Sequence, residues 1–265
     1  SRQLPVIIII FLASGIIFLT SFAPPTFYDS LVYHLALPEK YLQQHRILPD
    51  PVNVYANFPA NTEMLYLLGL ITGSVNVPNL QMFSFFLAAG GLILLYVKNY
   101  FIPAINNRFN GKDILLWPLL LFTTMPAVMF LSSGTYIEIA ITFFSLASLY
   151  VLLNAGRENS AKLIVLSGIF SGLALGCKYT AGINVSVIFL ILIYLFRGRH
   201  LGVWLVAVFL TFLPWILKNL VFVHNPVYPF LNSILNFSAN TGAITPCAYY
   251  NKTKRKTNNN YSLFL

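Results

Sequence analysis

Long apolar runs separated by short polar breaks dominate this chain, and within the runs the apolar positions are continuous, not every second residue. A hydrocarbon core of about 30 Å takes about 20 apolar residues as helix, whereas lipid-facing strands alternate. The pattern predicts spanning helices over residues 4–22, 78–101, 114–131, 136–153, 163–177, 181–196 and 201–223. Residues 61–75 are apolar but short, so they are expected to lie at the interface or re-enter. The stretch 23–60 is polar and holds Asp29, Glu39 and Asp50. The expected fold is therefore all-α: a polytopic membrane bundle of about seven spans, with a long first loop that carries juxtamembrane helices. Residues 1–235 form this unit. Residues 236–265 are polar, basic and Asn-rich without periodicity, and are expected to be a disordered tail. That tail and the start at Ser1 suggest a piece of a longer protein, and a signal peptide cannot be judged from it.

Composition narrows the class further. Of 265 residues, 57% are hydrophobic and 9% charged, against about 25% charged in ordinary soluble domains. Mean hydropathy is +0.74. So few charges cannot cover a soluble surface of this size, and the same figures exclude disorder, collagen and coiled coil. The net charge of +9 would suggest nucleic acid in a soluble chain. Here the bases fall between apolar runs, so they read as topology signals. With the N-terminus inside, Arg2, Lys98, Arg108, Lys112, Arg157, Lys162, Arg197 and Arg199 all fall in inner loops. Asp29, Glu39, Asp50 and Glu63 fall outside, with Lys40 and Arg46. Cys177 and Cys247 lie far apart, which excludes a disulfide framework, and no metal-ligand spacing, Walker motif or Gly-rich phosphate loop is present.

The candidate chemistry gathers on the outer side. Asp29 follows the first span and is able to N-cap a helix or to present a carboxylate at the membrane surface. At 3.6 residues per turn Asp29, Tyr33, Ala36 and Lys40 share one face, although Pro38 should kink or restart the helix. His34 falls beside that face, as a structural or sugar-contacting residue. Glu63 opens the short apolar run, and Glu138 opens a predicted span, where the helix dipole alone would favour an acid. Lys178 and Lys218 stand at outer ends of two spans. Charges near hydrocarbon usually face a cavity or a partner, while the bland alternative is snorkelling to the interface. Together the two lysines are expected to form an anion site opposite the outer carboxylate. His45, Glu39 and Asp50 read as solvated loop residues, and Trp117, Trp204 and Trp215 as interfacial belts.

Four segments taken in order, Phe27-Tyr-Asp29-Ser-Leu-Val-Tyr-His34-Leu-Ala-Leu-Pro38, Asn57-Phe-Pro59, Lys178-Tyr-Thr180 and Asn225-Pro-Val-Tyr-Pro-Phe230, resemble the GT-C class of membrane glycosyltransferases. The nearest resemblance is to the lipid A aminoarabinose and protein mannosyl transferases, over roughly residues 1–232. It implies a polyprenyl-phosphate-linked sugar as donor and an unknown acceptor, at an extracytoplasmic site of an integral, bacterial inner-membrane protein with a cytoplasmic N-terminus. It implies Asp29 as catalytic base and Lys178 and Lys218 as ligands of the lipid phosphate. Many relatives carry two adjacent acids in the first outer loop. Here Ser30 follows Asp29, so a second acid must come from Glu39, Glu63 or Glu138. The C-terminal helices and soluble domain of many members find no counterpart within these 265 residues.

The residues fit that chemistry independently. Transfer to a hydroxyl needs a base for the acceptor proton, and a phosphate leaving group needs a fixed cation. A single displacement inverts the anomeric centre. Substrate contacts are expected from Tyr33, His34, Lys40, Glu63, Glu138, Lys178 and Lys218. No cofactor is expected; one carboxylate is a poor basis for a tight divalent site, though a metal is not excluded. A flippase for lipid-linked saccharides is the rival from another class. Repeated halves or broken midplane helices would mark one, and neither is visible. An inactive fragment is the other alternative.

Overall fold

The computed structural model describes residues 3–50, 53–104 and 114–231. The predicted tail, and with it Arg108, Lys112 and Cys247, lies outside them. Among the described residues the chain is all-α, with ten α-helices of eight or more residues: α1 (Leu4–Thr20), α2 (Ala36–Gln44), α3 (Asn61–Leu70), α4 (Asn76–Tyr96), α5 (Trp117–Thr124), α6 (Pro126–Ser133), α7 (Glu138–Glu158), α8 (Ala161–Leu175), α9 (Gly182–Phe196) and α10 (Leu201–Val223).

Four helical segments are long and apolar enough to cross a membrane: Asn76–Ala104, Glu138–Glu158, Tyr179–Phe196 and Leu201–Val223. This makes the chain an integral membrane protein. The side chains agree, since Phe11 is 76% exposed and Ile183 72%, an apolar surface that water would not tolerate over this extent. α1 and α8 are apolar but shorter, at 17 and 15 residues, or about 26 and 22 Å of helix. The full set of seven spans is therefore not seen as seven helices of spanning length.

The clearest departure is the run 114–131. It does not form one helix. α5 ends at Thr124, Met125 is extended at φ −65°, ψ 121°, and Pro126 opens α6. The cause is local: a proline pushes the preceding residue out of the α region, and its own missing N–H suits the first helical position. The stretch 61–75 is too short to form a spanning helix. α3 is 10 residues long, about 15 Å, and a turn with Gly73 at φ +77° reverses the chain into α4.

α8 forms the centre, packed chiefly on α7 and α10. Its glycines set the distance to α10. A Cβ at Gly168 would stand 2.8 Å from the Trp204 carbonyl oxygen, and one at Gly172 2.8 Å from that of Val208, so small residues let the backbones meet. Ser148 of α7 bonds to the Ser167 and Ser171 hydroxyls of α8 at 3.0 and 2.8 Å, and Trp204 Nε1 donates to Ser167 at 3.3 Å. Two of the three tryptophans expected in interfacial belts lie inside the bundle instead. Trp204 and Trp215 are buried, at 1% and 7% exposure, with Trp215 Nε1 bonded to Asn61 Oδ1 at 2.8 Å. Trp117 is 52% exposed and remains able to serve a belt.

The two ends of the bundle differ. At one, α2, α3 and the turn before α3 pack beside Tyr136, Gly176, Tyr179 and Lys218; this is the capped end. At the other, Lys98, Arg157, Arg197 and Arg199 sit at helix ends; this is the basic end.

Candidate functional site

The capped end is organised by a short π-helical turn, Ser30–His34, which closes with Leu35 N–H donating to the Ser30 carbonyl at 2.9 Å. Pro38 accounts for it. Proline has no N–H for the carbonyl four residues back, and its ring crowds that carbonyl, at His34. The chain widens through the π turn and restarts as α2, with Pro38 in its first turn. Asp29 lies at the head of this turn, and its side chain makes no cap hydrogen bond. The structure therefore removes the reading of Asp29 as a helix cap.

The widened turn aims side chains at three neighbours. The Tyr33 ring stacks on Tyr55, centroids 4.4 Å apart and 17° from parallel. Burial, followed by the Asp29 carboxylate that accepts from its hydroxyl, holds the Tyr33 phenol well above its ordinary range; Glu138 and Glu63 act in the same direction. Tyr33 thus keeps its proton beside the Asp29 carboxylate. His34 turns inward, 1% exposed, and its Nδ1 meets Glu63 Oε1 at 2.7 Å. Among the described residues, His34 Nε2 and Glu63 Oε2 are buried without a hydrogen-bond partner. Tyr41, on α2, is pushed up to about 12 by burial and then by Asp50 and Glu63.

Two further strands of chain close the site. Glu138 Oε1 accepts from Lys178 Nζ at 2.9 Å, and Glu138 Oε2 accepts from the Ile137 N–H at 3.1 Å. Both side chains of this pair keep about a third of their surface exposed, 33% for Lys178 and 36% for Glu138. Lys218 Nζ donates to the Ala56 and Phe58 carbonyls at 2.8 and 3.0 Å and lies 4.9 Å from the Trp215 ring centroid. It fastens the 3₁₀ turn Val54–Asn57 to α10. The two lysines consequently do not stand together as free cations. Lys178 pairs with a carboxylate, and Lys218 holds backbone.

A small cavity of about 50 Å³ lies among these groups, with Tyr33, Tyr55, Phe58, Glu63, Cys177 and Lys178 in its lining. Aromatic faces, one carboxylate and one ammonium suit a polar ligand with stacking surface. Tyr33 joins this cavity to Asp29. Lys40 is elsewhere engaged, with Asp50 Oδ2 at 2.7 Å, so Asp50 is a partnered residue and not simply a solvated one. Cys177 is buried at 1%, its Sγ accepting from Thr62 at 3.2 Å. No cluster of three or more metal-binding side chains occurs among the described residues.

Several residues that build the site had no sequence reading of their own. Asn61 is the main one: its N–H donates to the Gly176 carbonyl at 2.8 Å, its Nδ2 to the Leu173 carbonyl at 3.1 Å, and its Oδ1 accepts from Trp215. It locks α3 to α8 and α10. Asn79 does the same for α4, donating to the Ser21 and Ala23 carbonyls at 3.1 Å each. An amide opening an apolar run was the available signal, since a buried amide needs partners. Comparison with protein-family models, with curated proteins and with solved structures finds no match to this chain.

Proposed function

We propose that the chain is a membrane glycosyltransferase of the GT-C kind, crossing a bacterial inner membrane about seven times with its N-terminus in the cytoplasm. It moves a sugar from a polyprenyl-phosphate carrier to an acceptor hydroxyl on the extracytoplasmic side, where the capped end lies. Asp29 takes the acceptor proton. The hydroxyl oxygen attacks the anomeric carbon, the bond to the carrier phosphate breaks, and the configuration inverts. Lys178 turns from Glu138 to the departing phosphate and holds its charge. Glu63, Glu138 and His34 accept or donate to sugar hydroxyls, and Lys218 keeps the wall of the cavity in place.

The observation that supports this reading most is the proximity of Asp29, through Tyr33, to a cavity lined by Glu63 and by Lys178, whose ammonium is paired with Glu138 just outside that lining. A base and a cation are thereby assembled at one helix-bundle end. The test is turnover. Protein reconstituted in vesicles with polyprenyl-phosphate-linked hexoses or pentoses should release carrier phosphate when an acceptor alcohol is added. Movement of the intact donor between leaflets with no sugar release would overturn the assignment in favour of a flippase.

A further inference from the structure

A groove of about 560 Å³ opens at the basic end, between the turn joining α7 to α8 and the turn joining α9 to α10. Arg157, Arg197, Arg199 and His200 form its rim, and Leu153 and Leu195 line it below. None of its lining residues is acidic; Glu158, the neighbour of Arg157, is not one of them.

The Arg157 side chain and the backbone that carries Arg197 and Arg199 are held in position. Arg157 Cζ stands 3.9 Å from the centre of the Tyr100 ring, and its Nη2 donates to the Asn99 carbonyl at 2.8 Å. Among the described residues, its other N–H groups make no hydrogen bond. Arg197 and Arg199 belong to a tight turn with Arg197 at φ +50°, Gly198 at φ +82° and His200 at φ +61°. The Arg199 N–H closes it on the Phe196 carbonyl at 2.9 Å. This turn is what makes a groove between two helix ends, with cations at the mouth and aliphatic side chains beneath.

The positive-inside rule accounts for the charge but not for the rest. Orientation needs neither a groove nor guanidinium in particular, because lysine serves equally well. A planar guanidinium fork matches two oxygens of a phosphate, which an ammonium does not. An aliphatic wall immediately below the cations matches a chain attached to that phosphate, and these helices end where lipid headgroups lie. We propose that this groove binds one anionic phospholipid, its phosphodiester held by Arg157, Arg197 and Arg199 and an acyl chain laid along Leu153 and Leu195. The proposal rests on the membrane character of the chain and is independent of glycosyl transfer.

The test is native mass spectrometry of the full chain released from detergent, titrated with dioleoyl phosphatidylglycerol or dioleoyl phosphatidylcholine. The anionic lipid should bind about tenfold more tightly, and Arg197→Gln with Arg199→Gln should bring it to the level of the zwitterionic one. The paired Arg197→Lys, Arg199→Lys variant separates a built site from a charge patch. Charge and topology survive in it, and most of the preference should be lost. Equal binding of the two lipids would overturn the proposal, as would full preference retained in the lysine variant. Displacement of the lipid by millimolar inorganic phosphate would assign the groove to a free anion instead.

Discussion

The two ends of this bundle treat charge in opposite ways. At the capped end His34 and Glu63 are buried and bonded to each other, Glu138 meets Lys178 half in water, and Lys218 is spent on two carbonyls. At the basic end Arg157, Arg197 and Arg199 are exposed around an open groove whose lining includes no acid. Taking a charge out of water is costly unless it is paired. Residues that accept this cost are arranged in relation to each other, and an account of chemistry belongs with them. Residues that stay in water at the ends of apolar helices act by attraction, toward a membrane surface or a headgroup. The proposed functions of the two ends follow from that contrast.

The contrast is sharpest in topology, where the outcome is all-or-none. In a Cys247→Ser background, Lys40→Cys and Arg199→Cys should react with an impermeant thiol reagent from opposite sides of a sealed vesicle. Reaction from one side would break the distinction between the ends. Next in size is the buried pair. Glu63→Ala leaves a buried imidazole nitrogen without its partner and should cost about 1–3 kcal/mol, read as a drop in the thermal midpoint in detergent; an unchanged midpoint would mean that the pair is not buried in solution.

The Tyr33 phenol offers an optical check. Since burial and then Asp29 hold it above its ordinary range, it should remain protonated at about pH 10, where an unperturbed tyrosine is half ionised. Parent and Tyr33→Phe should then show the same tyrosinate absorbance at that pH. A deficit of one half-ionised tyrosine in the variant would detach Tyr33 from the carboxylate. Smaller still is the coupling of Glu138 with Lys178. A double-mutant cycle with Glu138→Gln and Lys178→Met should give about 0.2–1 kcal/mol, as for partly exposed pairs. A coupling several times larger would make it a structural brace that is unable to release Lys178.

Much of the fold was legible because its signals are local. The runs that became Asn76–Ala104, Glu138–Glu158 and Leu201–Val223 are continuous and long, and helix length in a membrane is a count of residues. The run 114–131 was misread although Pro126 lay in plain view, because hydropathy alone does not register a missing N–H. Trp204 and Trp215 were misread for a related reason: a tryptophan near a helix end looks the same whether its N–H faces headgroups or Ser167 and Asn61. The individual site residues were visible, Asp29 and Glu63 among them. Their pairing was not. His34 and Glu63 are 29 residues apart and Glu138 and Lys178 40, and helical periodicity carries no information across such separations. The protein partners of Lys178 and Lys218, expected to form one anion site, were hidden on the same ground, since the carbonyls of Ala56 and Phe58 that hold Lys218 belong to a loop with no pattern of its own.

The account turns on Asp29, and Asp29→Asn tests it most directly. Its side chain makes no cap bond, so the amide removes no helix cap and can still accept from Tyr33. What it loses is the ability to take the acceptor's proton. Transfer from a polyprenyl-phosphate sugar, measured in vesicles alongside binding of the same donor, should fall by about 10²–10⁴-fold, the usual contribution of a general base, while donor binding and thermal midpoint stay near those of the parent. Transfer within a few-fold of the parent would contradict the account.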